Sequence, residues 1–534
     1  MFHQIIAPVG ESLGLSFVIG SAPIVVLLVL LGIARRPAWQ ASSAGLLVAL
    51  ILAVVVWKMP PLQALDSVAA GAAFALWPIM WIVFNALALY NVAVESGRFA
   101  AFREWMLEHL PNDRRIVLVV VGFSFGCLLE GITGFGTPVA ITSALLITLG
   151  FPAIEALVFT LIFNTAPVAF GALGTPVTTL GAVTQLSDVT LGAMIGRQLP
   201  MLALLLPFYV IGVYGGVRAV RGVWPALLVA GASFALTQFV TSNYIDYALT
   251  DVLSSLISLL VTVAFLKIWK VPHDPAFALL ASAKTAESGA IKLSAWQGWT
   301  PWLVLTVIVV GWVHLKVNVF GQVAVQWPGL HNAVFITAYD KPYAAIWNFQ
   351  PLATGTAILI STLVVGLLVK LKPGGIVRCY GKAARLVASP AINTVLIVGL
   401  AYLLNYSGIA YTLGIGIASL GAVFVILSAF LGWLAVFLSG SDTSGNALFG
   451  NLQVVAARQL GLNPILMAAT NSSGGVLGKM ISPQNICTGT AVTDLKGREG
   501  AILARTFKHS IILTLLLSLW VVFLQYVAPG LIPG

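Results

Sequence analysis

Charge is what this chain has least of. Asp, Glu, Lys and Arg make up 8% of its 534 residues, against 59% hydrophobic residues, and the mean hydropathy is +1.00. A soluble domain carries about a quarter charged residues, so a soluble fold is excluded. Period-2 alternation is also missing from the apolar runs, which are 15–30 residues long. That leaves a helical, polytopic membrane protein. Cysteine is scarce: Cys127, Cys379 and Cys487 stand far apart and form no CxxC or Cys/His spacing, so neither a disulfide framework nor a metal site is supported. No basic segment precedes the first apolar run, 15–34, and Arg35-Arg36 follow it. The polarity of a cleaved signal peptide is therefore lacking, and the run reads as a retained span. The net charge of +10 does not point to nucleic acid, because the basic residues fall mainly in short loops between apolar runs.

What is present is a series of apolar spans: 14–34, 39–57, 66–95, 153–185, 189–214, 223–241, 247–268, 300–314, 351–369, 386–405, 464–492 and 507–528, about 12 crossings. Threading them puts most Lys and Arg on one side, including Arg114, Arg115, Arg218, Lys267, Lys284, Lys292, Lys372, Arg378 and Arg505. The positive-inside bias makes that side cytoplasmic and places both termini outside. Residues 270–298 form the longest inner loop, and 315–350 the longest outer one, without a clear span. Residues 98–110 read as an amphipathic helix at the interface.

Four short stretches recur in the same order. Ser96-Gly97 matches Ser407-Gly408, Glu130 in LLEGITGFG matches Asp442 in LSGSDTSGN, GAVTQL at 181–186 matches TAVTDL at 490–495, and GAMIGRQL at 192–199 matches GAILARTF at 500–507. The threading gives the two copies opposite orientations, so they read as inverted repeats, an architecture of secondary transporters. The chain divides into N-terminal helices (1–65), repeat 1 (66–214), connecting helices and loops (215–375), repeat 2 (376–528) and a tail (529–534).

Each repeat contains a region that reads as a re-entrant hairpin, 116–149 and 420–457. In the first, arms of 14 and 12 residues flank residues 130–137. Such arms are about 20 Å long, short of a ~30 Å hydrocarbon core. Residues 439–446 form the second tip. Each hairpin precedes an interrupted span, 153–185 with Asn164-Thr165, Pro167, Gly171 and Gly174, and 464–492 with Asn471-Ser472-Ser473-Gly474-Gly475 and Ser482-Pro483. Irregular backbone at membrane depth is tolerated where it is buried or lines a polar cavity.

Two tips and two breaks therefore converge near the midplane, offering helix N-termini and small polar side chains to a small anion that also carries a hydroxyl. The candidate binding residues are Thr133, Gly134, Phe135, Gly136 and Thr137, Asn164 and Thr165, Ser441, Thr443, Ser444 and Asn446, and Asn471, Ser472, Ser473 and Lys479. Close helix packing by Gly, Ser and Thr is the alternative. Glu130 and Asp442 are the candidate proton-coupling acids, because an ionisable group inside a span is a functional candidate by default. An N-cap or a buried structural hydrogen bond is the alternative role. Two roles are open to Lys479: pairing with a substrate carboxylate, or neutralising Asp442 in its absence. Snorkelling to the cytoplasmic face is the structural alternative.

LLEGITGFGTPVAIT, FNTAPVAFGALGTP, FLGWLAVFLSGSDTSGNALF and GKMISPQN, with GRQLP at 196–200, resemble the signature stretches of the bacterial lactate/glycolate permease family over essentially the whole chain. More distantly, the paired hairpins resemble the ion-transporter superfamily, which implies an elevator motion. The family resemblance implies an inner-membrane proton symporter for L-lactate, D-lactate and glycolate, not an enzyme, with the proton as coupling ion and no other cofactor. A sodium-coupled organic-anion carrier of the same fold and, further off, an intramembrane hydrolase built on Ser441 and Asp442 are the competing readings. Neither the preferred substrate nor the oligomeric state is legible.

Overall fold

The computed structural model describes residues 1–34, 36–134, 136–279, 293–491, 493 and 495–533. Arg35, Phe135, Lys284, Lys292 and Asp494 lie outside the described residues, as does the side chain of Thr137.

Among the described residues, ten helices are long and apolar enough to cross a membrane, and a bent pair, Ala153–Phe163 with Val168–Thr184, makes an eleventh. The helix Asp188–Tyr244 runs for 57 residues but is two crossings. Gly215 and Gly216 leave helical geometry, Gly216 with φ 68°, and the arms fold back on each other. A Cβ on Gly231 would approach the Leu204 carbonyl to 2.6 Å, so the absent side chain is what lets the arms touch. These arms are the expected spans 189–214 and 223–241. The expected span 351–369 is the short helix Thr354–Leu368.

The two halves of the chain follow one order of elements. A long helix, Pro61–Glu95 or Pro373–Ser407, ends at a left-handed glycine, Gly97 (φ 73°) or Gly408 (φ 95°). A short helix follows, Arg98–Glu108 or Ile409–Ala418, then a hairpin, a broken helix and a long final helix. Ser96-Gly97 and Ser407-Gly408 thus mark the same structural position. The two long helices pack antiparallel. Glu95 pairs with Arg378 and Lys382 at one end, and Gly71 meets Gly399 further along, where a Cβ would lie 2.8 Å from the Gly399 Cα. Antiparallel packing of equivalent helices is the geometry of inverted repeats.

The first hairpin comprises Arg114–Thr133 and Thr137–Thr148, and the second Phe424–Ser439 and Asp442–Gln459. The first arm is longer than its apolar run suggested, 20 residues rather than 14, because the helix starts at Arg114 and runs on through Glu130 to Thr133, with a π-helical stretch, Leu118–Phe125, inside it. At 1.5 Å per residue it is about 30 Å long. The second hairpin returns to the side it came from, and the next helix, Pro464–Lys479, starts there. Asn463 caps that helix by accepting from the Ile465 and Leu466 amides, and Pro464 occupies its first turn.

Two large hydrophobic cores result, with a smaller third where the first long helix meets Ala295–His314 and Thr354–Leu368. One gathers the first hairpin, most of both broken helices and Asp188–Tyr244. The other gathers the N-terminal helices Leu13–Gly32 and Ala38–Val55, the long helices of both repeats and the outer loop. The loop 315–350 carries small sheets that the sequence reading left unassigned: Val323–Gln326 pairs antiparallel with Ile346–Phe349, and Phe2–His3 pairs parallel with Val334–Ile336. The N-terminus and this loop therefore share one side of the molecule. Arg98–Glu108 packs Phe102 against Trp299 and Trp302, so it is tied to the bundle as well as amphipathic.

Candidate functional site

Two polar centres form where tips and broken helices meet. The first is built on Glu130, in the last turn before the first tip. Lys479, closing helix Pro464–Lys479, donates to Glu130 Oε1 at 2.5 Å, with side-chain exposures of 7% and 3%. Asn164, at the end of Ala153–Phe163, donates to Oε2 at 3.0 Å. Gly171 abuts the same carboxylate: a Cβ there would lie 3.0 Å from Oε1. Lys479 thus neutralises Glu130 rather than Asp442, and it is buried rather than snorkelled to a face.

The second centre is built on Asp442. Ser441 caps the returning arm by accepting from the Ser444 amide at 3.4 Å, which puts Asp442 in the first turn, where a negative charge is favoured. Asp442 Oδ2 accepts from Ser472 at 2.5 Å and Asn446 at 3.4 Å. Its Oδ1 has no hydrogen-bond partner among the described residues and faces Gly475. A chain of amides extends from it. Asn446 donates to Ser472 and to the Pro176 carbonyl of the first broken helix, Asn471 donates to Asn446, and Gln453 donates to Asn471. Asn485 joins the centres by donating to the Gly440 and Lys479 carbonyls while lying beside Gly136. Glu130 and Lys479 are within electrostatic reach of Asp442.

Several expected positions differ. Glu130 precedes its turn and Asp442 follows its own, so the two acids are not equivalent by repeat; the turn glycines Gly134 and Gly440 are. Asn471-Ser472-Ser473-Gly474-Gly475 is not a break but continuous helix. The break is at Met480–Ser482, before the helix Pro483–Ala491. Gly474 and Gly478 serve close packing on Phe424–Ser439, where any side chain would strike the Ala429 and Trp433 carbonyls. Ser473 turns to Gln198, and the Thr133 and Thr165 hydroxyls return to their own helix carbonyls. Thr443 and Ser444 are buried in the returning arm. Asn85 and Asn91 make helix–helix hydrogen bonds, to Tyr380 and the Cys379 carbonyl.

A cavity of about 630 Å³ opens on the side of the strands, lined by Leu173, Thr178, Tyr247, Tyr343 and Asn405 among others. Glu130, Asp442 and Lys479 do not line it. Residues 171–174 form the partition: Gly171 touches Glu130 while Leu173 faces the cavity. Ala172, Leu173 and Gly174 are all left-handed, with φ of 45°, 53° and 77°. Non-glycine residues held there store strain of the kind found at switch regions. The polar groups overlooked in the sequence are Gln198, Gln453 and Asn485, and above all Asp251, whose signal, an acid inside an apolar span, was plain.

The family model described as L-lactate permease matches residues 16–528. The chain belongs to the L-lactate permease family. Relatives in that family match over nearly full length: the glycolate permease GlcA of Escherichia coli (strain K12) is 39% identical over 99% of both chains. The L-lactate permease of the same strain is 38% identical over 100% of both, and that of Bacillus subtilis (strain 168) is 39% identical over 98% of both. Two solved transporters share the fold at low identity. The YdaH transporter of Alcanivorax borkumensis, described as having an unusual topology, aligns with a TM-score of 0.50 at 16% identity, covering 92% of this chain and 98% of that one. MtrF of Neisseria gonorrhoeae, described among antimetabolite efflux pumps, aligns with a TM-score of 0.50 at 12% identity, covering 94% and 97%. The chain is thus a multi-pass membrane protein of a permease family.

Proposed function

We propose that this chain is a secondary active transporter of the bacterial inner membrane that imports a small 2-hydroxymonocarboxylate, L-lactate with D-lactate and glycolate, together with a proton. The relatives' names supply the substrate class. The observation that carries the coupling is the charge balance at the convergence of tips and breaks: one ammonium, Lys479, pairs with Glu130 and lies within electrostatic reach of two more buried carboxyls, Asp442 and Asp251. Adding a substrate carboxylate to such a site without a proton leaves uncompensated charge in a low-dielectric interior, at a cost of several kcal/mol.

The substrate carboxylate competes for Lys479. Glu130, losing its counter-ion, takes up a proton, and the loaded site carries no more charge than the empty one. Asp442, held by Ser472 and Asn446 with no ion-pair partner among the described residues, is the second proton-coupling acid. Asn164, Asn446 and Asn471 offer amides to the substrate hydroxyl. The partition at 171–174 separates the site from the outer cavity, and the two large hydrophobic cores are the bodies that slide past each other in an elevator motion. Both termini are outside.

Proteoliposomes test this. An inward proton gradient is expected to drive accumulation of labelled L-lactate, with D-lactate and glycolate competing better than acetate. Accumulation that follows a sodium gradient at fixed pH would reverse the assignment in favour of a sodium-coupled carrier.

A further inference from the structure

Asp251 has no place in the mechanism so far. It lies in the first turn of helix Thr250–Ile268, is 0% exposed, and neither carboxyl oxygen has a hydrogen-bond partner among the described residues. It sits directly against the first tip: a Cβ on Gly131, the residue after Glu130, would be 2.7 Å from the Asp251 Cβ. The charged groups that reach it are Glu130 and Lys479, and the neighbouring thiol is Cys127 on the same arm as Glu130. A carboxylate stripped of water and donors costs several kcal/mol, and a neutral carboxylic acid far less. Nothing structural is gained from such a group, since it bonds to nothing among the described residues; a hydrophobic residue would pack there more cheaply.

Asp251 also heads a polar stripe. Ser255, Ser258 and Thr262 follow it at helical spacing on one face, all buried. Ser258 bonds to Ser124 of the hairpin arm at 2.9 Å, while the hydroxyls of Ser255 and Thr262 have no partner among the described residues. Gly131 lies beside Asp251, and Ser124 beside Ser258, so the helix runs antiparallel to the arm. The stripe therefore leads from the tip back to the face where Arg114 begins.

We propose that Asp251 is a proton-binding site in the exit route of the coupled proton, receiving it from Glu130 and passing its own into the stripe Ser255–Ser258–Thr262. This rests on the proton-symport reading above. When substrate leaves and Lys479 returns to Glu130, the Glu130 proton is displaced. Asp251 takes that proton as it gives up its own, so each carboxyl ends as it began and one proton leaves per cycle.

The test uses the full chain in proteoliposomes, with wild type and Asp251→Asn. Exchange of internal for external lactate moves the loaded carrier without emptying it of its proton, so counterflow by Asp251→Asn is expected within about threefold of wild type, while accumulation driven by a proton gradient falls at least about tenfold. In detergent, weakly buffered wild type is expected to take up a proton when L-lactate is added and to release it on substrate washout, a release that Asp251→Asn lacks. Proton-driven accumulation by the variant equal to wild type overturns the role of Asp251 alone. Loss of both exchange and accumulation, or failure of this isosteric neutral variant to fold, overturns it as well by marking Asp251 as a structural carboxylate. A wild type that accumulates lactate with no proton gradient dependence overturns the symport reading itself.

Discussion

Lys479 and Glu130 come from opposite repeats, 349 residues apart, and meet at 2.5 Å where the first hairpin tip touches the end of the second broken helix. The pair locks one repeat to the other at the place where an anion must bind. A buried pair of this kind is costly to break from one side only, because the remaining charge has no partner.

Lys479→Met or Glu130→Gln alone is therefore expected to lower stability by about 3–5 kcal/mol, and the double substitution to recover most of it. Thermal unfolding of the detergent-solubilised protein measures this. Equal and additive losses would show that the two side chains act independently. Lys479→Met should also abolish lactate counterflow, since it removes the cation for which the substrate competes, and the double variant should not restore it.

Glycine does a different job in the second repeat than its clustering suggested. Gly432 faces the Asn471 carbonyl and Gly474 the Ala429 carbonyl, each with no room for a side chain. Gly474→Ala is expected to cost about 1–3 kcal/mol or more, because backbone on both sides must move. A control is Gly311→Ala, inside the helix Ala295–His314 with nothing within 4 Å; it should leave the unfolding temperature unchanged or raise it slightly, since Ala is the better helix former.

Much of this was legible in the chain itself. Gly97 and Gly408 could be paired because each ends a long apolar run, and both indeed terminate helices in the left-handed region. The hairpins were legible from apolar runs interrupted by polar octets. Asn471–Gly475 was not legible as helix: the same small residues that break a span also let two helices touch, and only the facing carbonyls of Ala429 and Trp433 decide between these. The register of Glu130 against Asp442 failed for a related reason. Both are acids near a turn, yet one belongs to the incoming arm and the other to the returning arm, a distinction carried by the positions of Gly134 and Gly440. The partners of Lys479 and the isolation of Asp251 depend on contacts more than 100 residues apart, which no local pattern encodes.

Sidedness is directly testable. The N-terminal strand pairs with the loop 315–350, so both must lie on one side. With Cys487 replaced by Ser, a cysteine at exposed Gln322 is expected to react with a membrane-impermeant maleimide in intact cells, and one at exposed Gly374 only in inside-out vesicles. Labelling of both from the same side would refute the threading that places the basic loops in the cytoplasm.

The last expectation concerns Asp442, whose Oδ2 is held by Ser472 and Asn446 and whose Oδ1 has no partner among the described residues. If Asp442 takes part in proton coupling, Asp442→Asn should keep the amide chain through Asn446 and Asn471, because Asn can accept from Ser472 as the carboxylate does. Substrate exchange should then persist while gradient-driven accumulation drops at least about tenfold. Ser472→Ala separates the structural from the coupling role. It removes a hydrogen bond to a buried acid, worth about 1.5–3 kcal/mol if the acid is charged and about 1 kcal/mol if it is neutral. The size of the stability loss in Ser472→Ala, compared between wild type and Asp442→Asn backgrounds, reads the charge that Asp442 carries in the folded protein. Proton-driven uptake that survives Asp442→Asn intact would leave coupling to Glu130, with Asp442 serving only as the first-turn anchor of the returning arm.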